Sequence, residues 1–261
     1  MSSTRTGSRG PGSCSGTDVA GYVELHAHSA FSFLDGASLP EELVLRARDL
    51  GYQALALTDH DGLYGSMEFA RTARAWGLQP ITGAELTLGR GVLGASASPG
   101  RTPEGGFHLT LLAETPEGYA NLCRLITLAF EGREKGDPRL DPVHLERHAA
   151  GLICLSGCRR GELARLVDAG NIAEATAVAR RLAEWFGPDR FYIELQQTLT
   201  RGDTRRIHGL TSLARQLGLP LVATGNVHYH RPERCRLQDT LVAIRNRTTL
   251  EGCCLLYTSD A

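Results

Sequence analysis

Lysine is nearly absent from this chain: Lys135 is the single one among 28 basic residues, in the polar run GREKGD. Positive charge is therefore carried almost wholly by arginine. Barrel hydrolases that bridge two metal ions through a modified lysine need that residue at a strand end, and none is offered there. Long apolar runs are missing as well, since none approaches the roughly 20 residues that span a bilayer. There is no CxxC pair either. The seven cysteines (Cys14, Cys123, Cys154, Cys158, Cys235, Cys253 and Cys254) are odd in number and follow no secretion signal. Such usage predicts reduced thiols in the cytoplasm, one of them a candidate metal ligand. Net charge is only -1 at neutral pH, which leaves any contact with nucleic acid to a local patch.

Residues 1–19 are rich in Ser, Gly and Arg and lack the apolar core of a signal peptide, so they read as a disordered leader. One domain is expected over residues 20–250. Residues 251–261, ending CCLLYTSDA, read as a truncated or artefactual tail.

Within the domain, short apolar runs recur at 22–26, 54–58, 81–88, 107–113, 151–156, 191–195 and 220–224. Between most of them apolar residues fall at helical spacing, as in Leu43, Ala47 and Leu50, or Leu210, Leu213, Ala214 and Leu217. Gly51, Gly77, Gly187 and Gly218 follow such segments, where a helix end favours glycine. Strands alternating with helices predict an α/β fold, and about seven strands suit a distorted (β/α) barrel. Residues 89–106, rich in Gly, Ser and Pro, read as a loop inside a β-hairpin.

Chemistry in parallel α/β folds collects at the C-terminal ends of the strands. Read in order, those ends carry His26 and His28, then Thr58-Asp59-His60, Glu85, Ser156-Gly157-Cys158, and Asn226-Val227-His228. His26 and His28, at i and i+2 of a strand, present two imidazoles to the same side. His108 starts its run instead of ending it, and an antiparallel strand there would bring it to the same face. Asp59 reads as the cap of the next helix. His144, His148, His208 and His230 sit in polar surroundings and read as solvated. His, Asp, Glu and a lone Cys converging on one face suit Zn²⁺ or Mn²⁺, which activate water near neutral pH and clamp phosphate oxygens. Arg159 and Arg160, at an expected helix N-terminus, read equally as an anion site or as a solvated first turn; the former makes a phosphate ester the natural substrate class.

The stretches HAHSAFSFLDG, ALTDHDGLYGSMEFARTARAWGLQPITGAEL, HLTLLAETPEGYANLCRLI, LICLSGCRRGELARL and LVATGNVHYHRPERCRLQDTLVAIRNRTTL together resemble the PHP (polymerase and histidinol phosphatase) domain. The resemblance is strongest to the PHP domain of bacterial C-family DNA polymerases, and the last stretch looks most like the error-prone branch. It implies a distorted seven-stranded (β/α) barrel with up to three ions, Zn²⁺ or Mn²⁺, with Mg²⁺ an alternative. It assigns His26, His28 and Asn226 to one ion, with Glu85 bridging to a second held by His108 and Cys158, and Asp35, His60 and His228 to a third. Asp59 and Arg159 are the candidate catalytic residues. The family usually has Asp where this chain has Asn226, and a neutral amide removes a negative charge from the cluster.

The domain so implied is either a 3′–5′ exonuclease-type phosphoesterase or a metal-stabilised structural module. It would be joined to a polymerase core that makes or repairs DNA beside other replication or damage-response proteins. Three alternatives stand beside it. A free-standing histidinol-phosphatase-like enzyme would share the ligands. An amidohydrolase also opens with HxH but lacks its lysine here. A binding module would use Arg231, Arg234, Arg236, Arg245 and Arg247 on DNA phosphates, unless these form an exposed helix face.

Overall fold

The apolar runs become strands of a single curled sheet. The computed structural model describes residues 21–94 and 106–251, so the expected leader and nearly all of the expected tail lie outside the described residues. Six strands follow one another in chain order: β1 (Ala54–Leu57), β2 (Gln79–Leu88), β3 (Phe107–Ala113), β4 (Leu152–Leu155), β5 (Phe191–Gln196) and β6 (Leu221–Thr224). Pairing is parallel except around β3, which runs antiparallel to both β2 and β4. β2 and β3 form the expected hairpin, although residues 95–105 of its loop are outside the described residues.

The seventh expected strand, residues 22–26, is not a regular strand. It is present as two isolated bridges, Glu24 to Leu55 and Ala27 to Val227. Ala56 N and Thr58 N donate to the carbonyls of Glu24 and Ala27, both at 2.8 Å, on one side. On the other side Val227 N donates to His26 O at 2.9 Å and His28 N to Val227 O at 2.7 Å. This run therefore joins the two edges of the sheet and closes a distorted (β/α) ring. Its ladder is broken because the Glu24 carboxylate takes amide protons that a neighbouring strand would otherwise receive: His26 N at 2.9 Å and Gly225 N at 2.8 Å.

Helices cover the outer face: α1 (Pro40–Asp49), α2 (Ser66–Ala75), α3 (Pro116–Phe130), α4 (Val143–Arg147), α5 (Glu162–Asp168), α6 (Ile172–Phe186), α7 (Asp203–Leu217) and α8 (Cys235–Arg245). Their ends follow from local chemistry. Thr115 accepts Gly118 N at 3.1 Å ahead of Pro116 in α3, and α7 stops at Gly218, whose φ of 67° costs glycine little. The short α4 escapes prediction because five residues carry too little periodicity. Leu86, Leu111, Leu122, Leu125 and Phe191, fully buried, pack the sheet against α3 and its neighbours. Leu43, Val44, Leu57 and Phe69 form a smaller core under α1 and α2. No described helix is long and apolar enough to cross a membrane.

Candidate metal centre

Four imidazoles surround one carboxylate at the closed end of the ring. Glu85, 1% exposed on β2, has Oε1 at 3.3 Å from His26 Nε2 and Oε2 at 3.6 Å from His28 Nε2. The same Oε2 lies 3.1 Å from His60 Nδ1 and 2.9 Å from His108 Nδ1. His108 reaches this face because β3 is antiparallel, as expected, with its first residues opposite the last of β2. Beyond the carboxylate, His28 stacks on His60 with ring centres 4.4 Å apart, and His228 lies 4.8 Å from His28. Asp35 completes the row, with Oδ2 at 2.9 Å from His60 Nε2 and 3.7 Å from His228 Nε2.

Among the described residues, three sets of ligand atoms each fall within 4.8 Å of one another: His26, His28 and Glu85; His60, Glu85 and His108; and His28, His60 and His228. The decisive feature is what these atoms lack. His26 Nε2, His28 Nε2 and Glu85 Oε1 are buried and have no hydrogen-bond partner. Buried polar atoms left without hydrogen-bond partners are costly, and ligand atoms of three residues gathered within 4.8 Å of one another suit a cation. The histidine and glutamate cluster is one that could bind metal.

The surrounding shell holds these rings in place. Glu194 Oε1 accepts a hydrogen bond from His26 Nδ1 at 2.7 Å, which leaves Nε2 facing Glu85. Ser32 Oγ donates to Asp59 at 2.7 Å, so it can only accept from His28 Nδ1, 3.3 Å away. The backbone carbonyl of Asn226 accepts the Nδ1 proton of His228 at 2.8 Å. Glu194, in contact with His26, was not singled out by the sequence. Its signal was present, since it lies near the end of β5 in the run ELQ.

Charge follows the same geometry. Burial works against a charged His26, yet Glu194 and Glu85 outweigh it and raise its pKa well above the ordinary value. His60, with burial opposed by Glu85 and Asp35, is raised to about 9. His28 is pushed well down by burial and by His60 and His228, and burial takes His108 down to about 4. Glu85 and Asp35 stay ionised despite burial because imidazoles face them. Imidazoles and carboxylates packed this way compete for protons, and groups of this kind release protons when they take up a metal.

The other expected residues fall around this row. Cys158 Sγ lies 3.5 Å from His108 Nδ1 and accepts Arg160 N at 3.4 Å. Asn226, with φ of 50° and a buried side-chain oxygen lacking a partner, lines a cavity together with Cys158, Arg159 and Glu194. Asp59 caps no helix, contrary to expectation. Its carboxylate gathers Ser29 N, Ser29 Oγ and Ser32 Oγ between 2.6 and 2.8 Å and so shapes the loop after His28. Arg159 and Arg160 sit in the turn before α5, not on its first residues, and that helix begins with buried Glu162, which accepts Val92 N at 2.8 Å. His230 is not simply solvated, since its Nδ1 meets Ser38 Oγ at 2.7 Å. The five C-terminal arginines do not form one exposed face: Arg231, Arg236 and Arg247 are exposed, Arg234 pairs with Glu42, and Arg245 pairs with Asp35. Lys135 is exposed, which leaves no bridging lysine at the cluster.

Comparison with known proteins follows this picture. The PHP domain family pattern matches residues 24–198. The chain is 45% identical over 246 residues to an error-prone DNA polymerase of Symbiobacterium thermophilum, covering 88% of this chain and 21% of that protein. It is 44% identical over 239 residues to an error-prone DNA polymerase of Mycobacterium bovis, covering 91% and 21%. The chain thus spans about a fifth of the length of the curated relatives it matches. Among solved structures, a Bifidobacterium adolescentis protein assigned as a metal-dependent phosphoesterase shares the fold, with a TM-score of 0.52 at 16% identity over 84% of this chain and 96% of the other.

Proposed function

Because the chain belongs to the PHP domain family, we propose that it is the metal-binding phosphoesterase portion of an error-prone DNA polymerase, directed at phosphodiester bonds of DNA. The observation that carries this reading is the convergence of His26 Nε2, His28 Nε2 and Glu85 Oε1, buried and without hydrogen bonds.

His26, His28, Glu85 and Asn226 would hold one ion. Glu85, His108 and Cys158 would hold a second, and Asp35, His60 and His228 a third. Zn²⁺ or Mn²⁺ fits the mix of imidazole, carboxylate and thiolate, with Mg²⁺ the alternative. Bound metal supplies Lewis-acid polarisation of a phosphoryl oxygen and an activated water. The protein's own groups do the rest. Glu194 and Ser32 fix the tautomers of His26 and His28, Asp59 shapes the loop that carries Ser29 and Ser32, and Arg159 lines the cavity where a phosphate would be neutralised. DNA, the remainder of the polymerase and other replication or damage-response proteins are the partners this reading calls for, in the cytoplasm.

A second reading, a structural metal module without hydrolysis, draws support from Asn226, which lacks the charge of a carboxylate. One experiment separates them. Metal content is measured on purified protein, which is then incubated with 3′-labelled single-stranded DNA and with histidinol phosphate. Metal-dependent 3′–5′ trimming supports the phosphoesterase. Metal-dependent thermal stability without cleavage leaves the structural module, and turnover of histidinol phosphate alone would shift the assignment to a small-molecule phosphatase. Absence of bound metal under all conditions sinks all three.

A further inference from the structure

The C-terminal helix ends on a charge that faces the metal cluster. Arg245, the last residue of α8, places Nη1 2.8 Å from Asp35 Oδ1. Asp35 is 5% exposed and Arg245 32% exposed. The contact is an ion pair out of line for a hydrogen bond, since Asp35 Oδ1 has no hydrogen-bond partner. The other oxygen of the same carboxylate faces His60 and His228. A guanidinium thus stands beside the position that Asp35, His60 and His228 define, close enough to compete with a cation for the Asp35 charge.

Helix α8 has little else to hold it. Its buried residues are Gln238, Val242 and Ala243, while Leu237 and Ile244 are 41% and 56% exposed. The carboxylate is better secured, since Asp35 N donates to Ser32 O at 3.0 Å and Ala37 N to His228 O at 2.7 Å. Of the two members of the ion pair, Arg245 is therefore the one free to move.

We propose that Arg245 sets the metal affinity of the Asp35–His60–His228 position, by competing with the ion for Asp35, and that filling this position loosens the end of α8. This rests on the metal-centre reading above and goes beyond it, by naming a residue that tunes occupancy and a helix that reports it. Linkage makes the effect reciprocal: whatever the ion takes from the Arg245 contact, a docked α8 takes from the ion. Two like charges in a half-exposed setting interact on the scale of a factor of about 10 in binding. The pair also selects for charge, so a lysine at 245 should keep much of the competition.

The test is a Mn²⁺ titration of the whole chain by calorimetry, in the wild type and in Arg245→Gln and Arg245→Lys, with Asp35→Asn marking which binding step belongs to this position. Expected is an Arg245→Gln that binds the Asp35-dependent Mn²⁺ about 10-fold tighter, with Arg245→Lys near the wild type and the other steps unmoved. Amide exchange in residues 235–245 should quicken when wild-type protein is saturated with Mn²⁺. An unchanged or weaker Asp35-dependent step in Arg245→Gln, or unaltered exchange in α8, overturns the role of Arg245 while leaving the metal centre standing. A wild type that takes up no Mn²⁺ overturns both.

Discussion

Replacing Glu194 by Gln isolates one charge at the heart of the centre. Glu194 Oε1 collects three donors: His26 Nδ1 at 2.7 Å, Gln196 Nε2 at 2.8 Å and the Thr224 hydroxyl. Its second oxygen is buried and has no hydrogen-bond partner. A glutamine can keep its carbonyl on the three donors and put its amide nitrogen where that second oxygen lies, so shape is retained and only charge is lost. Hydrogen bonds to a carboxylate are roughly twice as strong as neutral ones, and carboxylates that orient metal-bound histidines are worth about 10- to 100-fold in metal affinity. Glu194→Gln should therefore weaken Zn²⁺ or Mn²⁺ binding by about 1.4–2.7 kcal/mol. The metal-free protein should unfold within about 1 kcal/mol of the wild type, because a buried charge has gone along with its bond. Proton release offers a second readout. Glu194 and Glu85 together raise the His26 pKa well above its ordinary value, so metal uptake should release more protons from the wild type than from the variant. Competition against a chromophoric chelator, run in two buffers of different ionisation enthalpy, measures both. Wild-type affinity with unchanged proton release in Glu194→Gln would refute the reasoning.

Three further outcomes are expected. Asn226→Asp should tighten metal binding and raise any nuclease rate, read by the same titration and by cleavage of labelled single-stranded DNA; a drop in both would count against Asn226 as a ligand position. Burial raises the Glu162 pKa from 4.5 to about 7 against the pull of Val92 N–H, so its contribution to stability is complete below pH 4.5 and is lost as pH rises through 7. That loss amounts to about 3 kcal/mol, and Glu162→Gln should flatten the fall seen in denaturant melts between pH 5 and 8. Phe69, 0% exposed in the core beneath α1 and α2, should cost about 3–5 kcal/mol when cut to Ala, with metal stoichiometry preserved in the folded fraction.

Much of this was legible in the sequence for local reasons. The strands of the sheet announce themselves as apolar runs, and Glu85 stood out because an acid inside such a run needs a partner. Even the turn of His108 toward the site could be read from its place at the start of a run. What escaped depends on distant contacts. Glu194 is an ordinary strand residue until the fold carries it across 168 positions to His26, and Ser38 meets His230 across 192. Arg245 looks like one surface arginine among several, and nothing nearby reveals its partner Asp35. The first strand was expected to be regular, but the side chain of Glu24 competes for its amide protons, an effect that periodicity does not encode.

The bridge that residues 22–28 form to Val227 bears on biosynthesis. A ribosome delivers His26 and His28 early, yet the segment that pins them arrives some 200 positions later, as the 201-residue separation between Glu24 and Gly225 illustrates. Until then two imidazoles wait beside an unfinished cylinder. A nascent polypeptide halted before residue 225 should therefore hold residues 24–28 less firmly than the finished domain, read as faster amide exchange there.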